Sequence, residues 1–157
     1  MKLNKLQING FGNIENKEIE LEGGLNLICG KNETGKSTMV NFIKGIFYGV
    51  NRNKAGNEFS EYELFKPWGN ADFSGKMEYE LDGKQYTVFR DFNRNNCKVY
   101  DKDGTDITAD FSKDIMTNNN NEAHRRFSPF VLHGLHFLPY QRLSPCDLQK
   151  CGLFLQL

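Results

Sequence analysis

The 157-residue sequence predicts an α/β fold in which a mixed sheet with antiparallel hairpins carries one helix. Three observations predict it. A short apolar run, Leu25, Leu27 and Ile28, ends directly in the glycine-rich stretch GKNETGKST, residues 30–38. From Ser37 onward Met39, Phe42, Ile43, Ile46 and Phe47 recur at the i, i+3, i+4, i+7 and i+8 spacing of one helical face. Farther along, Asp82-Gly83 stands between two runs of alternating apolar and polar residues, a strong short-range hairpin signal.

The elements follow in order. Leu3, Leu6 and Ile8 form a short, imperfectly alternating strand that ends at NGFGN, residues 9–13. Ile19 and Leu21 alternate with Glu18, Glu20 and Glu22 in a second strand, and Gly23-Gly24 turns the chain. GLNLIC, residues 24–29, reads as a strand of the parallel type, buried on both faces, that delivers the chain into Gly30. The helix begins at Ser37 and stops near Gly49. Gly45 inside it costs ~1 kcal/mol relative to Ala, so a close backbone approach is expected there. In GKMEYELDGKQYTVFRDF, residues 75–92, a two-residue loop pairs Tyr79 with Tyr86 and Met77 with Val88 on one face, with Glu78 and Glu80 on the other. Asp103-Gly104 is expected to repeat the device between CKVYD and TDIT.

Charge and composition exclude several classes. Twenty basic and twenty acidic side chains cancel, so no whole-molecule field draws the chain onto nucleic acid or an anionic membrane. The start, MKLNKLQING, lacks the apolar stretch of a signal peptide, and no run approaches the ~20 apolar residues that cross a bilayer. A cytoplasmic protein without membrane contact is expected. Cys29, Cys97, Cys146 and Cys151 form no tight framework, and Cys29 sits in the strand expected to be buried, which favours reduced thiols. Composition changes after TNNNNEAHRR: all eighteen Asn lie before residue 123, and all three His after residue 122. The expected organisation is a lobe over 1–113 that carries the glycine-rich stretch, an Asn-rich linker over 114–122 and a Leu/His/Pro-rich tail over 123–157. The tail reads either as a small native segment or as a foreign one produced by a shifted frame or a deletion junction.

The glycine-rich stretch fits G-x-x-x-x-G-K-[ST], with Gly30, Gly35, Lys36 and Ser37 at the fixed offsets. Polyphosphate is best met by backbone N–H groups, and two glycines let the amides from Asn32 to Thr38, including Glu33 and Thr34, turn inward at a helix start. Lys36 is the point charge for the β and γ phosphates, Ser37 the Mg²⁺ ligand, and Thr38 a partner for the α phosphate. ATP and Mg²⁺ are the expected cofactors, because NKAG at residues 53–56 lacks the acid of a guanine-reading Asn-Lys-x-Asp motif. Hydrolysis needs a further carboxylate for the metal and a group that orients water. No run of four apolar residues ends in Asp or Glu, so no catalytic residue is assigned; Gln141 is a weak candidate for metal sensing.

Residues 1–38, MKLNKLQINGFGNIENKEIELEGGLNLICGKNETGKST, resemble the amino-terminal start of the ABC-type ATPases related to SMC proteins, SbcC, RecF and the YhaN-like proteins. FKPWGNADFSGKMEYELDGKQYTVFRDF and VYDKDGTDIT are similar to the YhaN-like branch, and the resemblance covers residues 1–113. It implies the amino-terminal ATP-binding lobe of an ABC/SMC-type head. In such proteins a coiled coil leads to a second lobe with the Ser-Gly-Gly signature and the Walker B acid, and two heads enclose two ATP molecules. The implied work is DNA repair, recombination or chromosome organisation, with a nuclease partner and DNA. This sequence has no heptads and no signature, since LSPCD at residues 143–147 lacks the glycines. The expectation is therefore a truncated lobe that needs a complementary lobe or a homodimeric head. The alternative is a non-catalytic remnant or interaction module that pairs with a full-length relative.

Other features carry weaker signals. Trp68 in FKPWGN either stacks on a base or anchors a loop, and the anchor is favoured. Arg90 with Lys76 and Lys84 forms either a phosphate-tracking stripe or, by preference, a solvated face. His133 and His136 with Cys146 and Cys151 match no compact zinc module, and Ser144, His136 and Asp147 lack a nucleophile elbow.

Overall fold

A computed structural model describes residues 1–31, 33–54, 56, 58–110, 136–137 and 151–156. The linker, most of the tail, Asn32, His133, Gln141, Ser144, Cys146 and Asp147 lie outside the described residues. The elements run β1 (Lys2–Phe11), β2 (Ile14–Glu20), β3 (Leu25–Cys29), α1 (Lys36–Tyr48), α2 (Glu61–Phe65), β4 (Ser74–Leu81), β5 (Lys84–Asp91), β6 (Asn96–Asp101), β7 (His136–Phe137) and β8 (Cys151–Gln156). Five strands form one antiparallel sheet in the order β2-β1-β4-β5-β6. None of the described helices is long and apolar enough to cross a membrane.

The imperfect alternation of the first strand has a structural cause. Against β4 the register shifts between Leu3 and Lys5, and this irregularity resets the period-two count. Leu3, Leu6 and Ile8 consequently all reach the core. The β4–β5 hairpin forms as its sequence dictates: Asp82 and Gly83 have φ of 52° and 74°, Tyr79 pairs with Tyr86, and Met77 with Val88. The second Asp-Gly does not repeat it. The Asp101 carboxylate accepts the amides of Asp103 and Thr105 at 2.9 and 2.8 Å, and a single bridge joins Tyr100 to Asp106. A side chain here replaces a backbone carbonyl as acceptor, which makes a longer turn.

α1 covers one face of this sheet with Met39, Phe42, Ile43, Ile46 and Phe47, all buried, and ends at Gly49 with φ 77°. Its interior glycine behaves as expected, since a Cβ at Gly45 would lie 3.2 Å from Phe92 and 3.4 Å from Phe11. Phe11 centres the packing, with ring centroids 5.5 Å from Phe42, 4.9 Å from Phe65, 5.6 Å from Phe73 and 5.2 Å from Phe92.

Two expectations need correction. Arg90 lies neither on a phosphate stripe nor on a solvated face: it is only 1% exposed, and its Nε donates to the Ile46 carbonyl at 2.9 Å and its Nη2 to the Phe47 carbonyl at 3.3 Å. The alternation that buries Val88 also turns Arg90 inward, where the last carbonyls of α1 need donors. The strand leading to the glycine loop is not buried on both faces either. Cys29 is exposed, and Asn26 and Ile28 are half-buried. β3 stands outside the five-stranded sheet, and among the described residues it pairs with β8 alone, antiparallel rather than parallel.

Candidate nucleotide-binding site

The loop between β3 and α1 is shaped by positive φ angles and four short polar contacts. Gly35, the residue before α1, has φ 91° and is buried; a Cβ there would lie 2.9 Å from the Ile14 side chain and 3.0 Å from Asn13 Oδ1. Glycine is thus required by dihedral and by space. Glu33 also adopts positive φ, 67°, and its carbonyl accepts the Asn13 side-chain amide at 2.8 Å. Thr34 Oγ1 donates to the Lys31 carbonyl at 2.8 Å. Gly30 leaves room for that hydroxyl, since a Cβ would approach it to 2.6 Å.

The loop opens into the amino terminus of a 13-residue helix with no side-chain cap and no acid in its first turn. The leading amides of such a helix lack intrahelical acceptors and carry the positive end of its dipole, a standing site for an anion. Lys36 Nζ, at this terminus, donates to the carbonyls of Gly30 at 2.7 Å and Lys31 at 2.6 Å. Ser37 is exposed and Thr38 half-buried. The leading amides of a helix, an ammonium and an exposed hydroxyl are a set of groups that suits a magnesium-bound triphosphate. No group of three or more His, Cys, Asp or Glu residues suited to a metal occurs among the described residues.

A cavity of about 530 Å³ joins the loop to a second wall. That size is within the ~300–1,000 Å³ range of small-molecule sites. Besides the loop residues, Gly12 and Asn13 line it, and so do Leu64, Phe65 and Trp68 of the second wall. The wall is built locally from α2, whose capping box holds Ser60 against Glu63: the Ser60 amide donates to the carboxylate at 3.0 Å and the Glu63 amide to the Ser60 hydroxyl at 3.3 Å. A hydrogen-bonded ion pair with Lys54, then the Ser60 amide and hydroxyl, lowers Glu63 to a pKa of about 2. The wall joins the sheet through Gly12, which donates to the Phe65 carbonyl at 2.7 Å and accepts the Trp68 amide at 3.2 Å. The Trp68 ring is 82% exposed, so it does not serve as the expected loop anchor. Pro67 does the packing there, where a Cβ on Gly10 would come within 2.8 Å of it.

The structure therefore brings together Gly30, Glu33, Thr34, Gly35, Lys36, Ser37 and Thr38. Sequence reasoning missed Gly12, Asn13, Leu64 and Phe65, whose partners lie tens of residues away. The NGFGN stretch was legible only as a strand end.

A strand, a phosphate-type loop and a helix set against an antiparallel lobe define a P-loop ATPase lobe of the kind shared by SMC-related and RecF-related proteins. The chain belongs to the AAA domain family, whose match covers residues 5–137. It is similar to the DNA double-strand break repair Rad50 ATPase of Pyrococcus abyssi, 28% identical over 96 residues, 60% of this chain and 11% of that protein. It is similar also to the DNA replication and repair protein RecF of Desulforudis audaxviator, 31% identical over 84 residues, 54% of this chain and 21% of that one. The Septu protein PtuA of Bacillus thuringiensis is 38% identical over 94 residues, 60% of this chain and 22% of PtuA. The aligned part thus spans between about a tenth and a fifth of these curated relatives.

Proposed function

We propose that the chain binds Mg-ATP as the amino-terminal lobe of a DNA-repair ATPase head. The observation that carries this reading is the uncapped start of α1 with the Lys36 ammonium folded beside it. Amides from Asn32 to Thr38 hold the phosphates, Lys36 supplies charge to the β and γ groups, Ser37 ligates Mg²⁺ and Thr38 meets the α phosphate. Bond cleavage is assigned to an acid from a complementary lobe or a second head. The names of the Rad50 and RecF relatives support a role in repair on DNA, with a nuclease partner by analogy to the wider group.

The test is titration of a fluorescent ATP analogue into wild type and Lys36→Ala, with both folds verified by circular dichroism. Removing a charge-assisted partner is expected to weaken binding at least about tenfold. Identical curves for two folded proteins would refute the proposal.

A further inference from the structure

All three large hydrophobic side chains exposed among the described residues, Phe59, Leu64 and Trp68, lie within ten residues of one another, and two of them line the nucleotide cavity. Leu64 is 54% exposed and Trp68 82%. Solvent exposure of the only tryptophan in the chain is costly unless something covers it. Its backbone, in contrast, is held: the amide donates to Gly12, and Pro67 just before it packs on Gly10. A pinned backbone under an uncovered ring limits what the ring loses on gaining a planar partner.

The order of groups along the cavity says which partner. On the phosphate reading, Lys36 and Ser37 face the β and γ groups and Thr38 the α phosphate, so the nucleoside extends past Thr38. Gly12 stands beside Thr38, since a Cβ on it would come within 2.9 Å of Thr38 Cγ2. Beyond Gly12, joined to it by two backbone hydrogen bonds, come Phe65 and Trp68. The polar end of the cavity is thus the loop, and the apolar end is the α2–Trp68 wall.

We propose that Trp68 is the platform on which the base of the bound nucleotide stacks, with Leu64 completing the apolar wall. The inference rests on the proposed nucleotide binding and adds a base subsite distinct from the glycine loop. Stacking is tolerant of base identity because every base has a π face, so Trp68 supplies affinity for the nucleoside part and leaves the choice among purines to other groups.

The single tryptophan makes the test direct, because all tryptophan emission comes from residue 68. Mg-ATP and magnesium tripolyphosphate, which has the phosphates without a base, are titrated into wild type, Trp68→Ala and Trp68→Phe, with binding followed by calorimetry and emission recorded in parallel. Both ligands are expected to bind wild type, and only ATP to quench emission. Trp68→Ala should weaken ATP about five- to twentyfold and leave tripolyphosphate within about twofold, while Trp68→Phe recovers most of the ATP affinity. Equal ATP affinity in wild type and Trp68→Ala, or equal quenching by the two ligands, would overturn the platform while the phosphate site stands. If wild type bound neither ligand, the proposed function would fall and this inference with it. The variants are expected to fold, since the ring they alter makes little contact with the core.

Discussion

The sheet–helix body and the glycine loop are neighbours stabilised in opposite ways. In the body, Phe11, Phe42, Phe73 and Phe92 are almost entirely buried and interlock as rings, so its shape follows from area removed from water and close packing. In the loop, Lys31, Glu33, Thr34 and Ser37 are exposed, and the shape rests on two left-handed residues and a few hydrogen bonds. The contrast teaches that the cradle is cheap to rearrange while the platform beneath it is not. A lysine bonded to its own loop carbonyls can exchange them for a ligand without disturbing the body.

Phe11→Ala should break the contrast from the body's side. It removes the ring at the centre of the cluster and is expected to cost about 3–5 kcal/mol, read from urea unfolding. A loss below about 1 kcal/mol would mean that the core does not depend on that ring. Gly35→Ala strikes where loop and body meet. The left-handed backbone and the contact with Ile14 predict a loss of about 1–3 kcal/mol, with nucleotide affinity falling more steeply than stability. Unchanged ATP affinity in this variant would contradict the role of the helix start.

Smaller effects sharpen the comparison at the second wall. Ser60→Ala removes the cap of α2 and should cost about 1 kcal/mol, seen as faster amide exchange in α2 with β1 and β4 unaffected. The Glu63 carboxyl is held near a pKa of about 2 against an ordinary value of 4.5. Because its folded value is the lower one, its support for α2 is complete above pH 4.5 and fades as pH falls toward 2. α2 is therefore expected to loosen across that acid window, followed by the hydrogen exchange of Leu64 and Phe65. In Glu63→Gln that pH dependence should flatten; an unchanged profile would assign it elsewhere.

Much of the body was legible because its rules are local. Periodicity set the buried face of α1, and Asp82-Gly83 set a register that the structure reproduces pair by pair. The glycine loop was legible for the same reason, its spacing being a backbone requirement. Arg90 and Trp68 were misjudged by the residue-type rule that charged side chains face water and aromatic ones anchor loops. What decided them were carbonyls at Ile46 and Phe47, and a backbone ladder from Gly12, neither of which is near in sequence. Cys29 was misplaced because an apolar run signals burial without saying what covers it.

By itself the sequence determined the hairpin turn, the helix and the position of the glycine loop, since each depends on dihedral preferences and side-chain periods within a dozen residues. The tertiary structure alone decided that β1 lies between β2 and β4, that Arg90 caps α1, and that Trp68 faces the cavity opened by the glycine loop. Those outcomes rest on buried area and on the pairing of backbone groups between distant segments, which become available only once the chain has closed on itself.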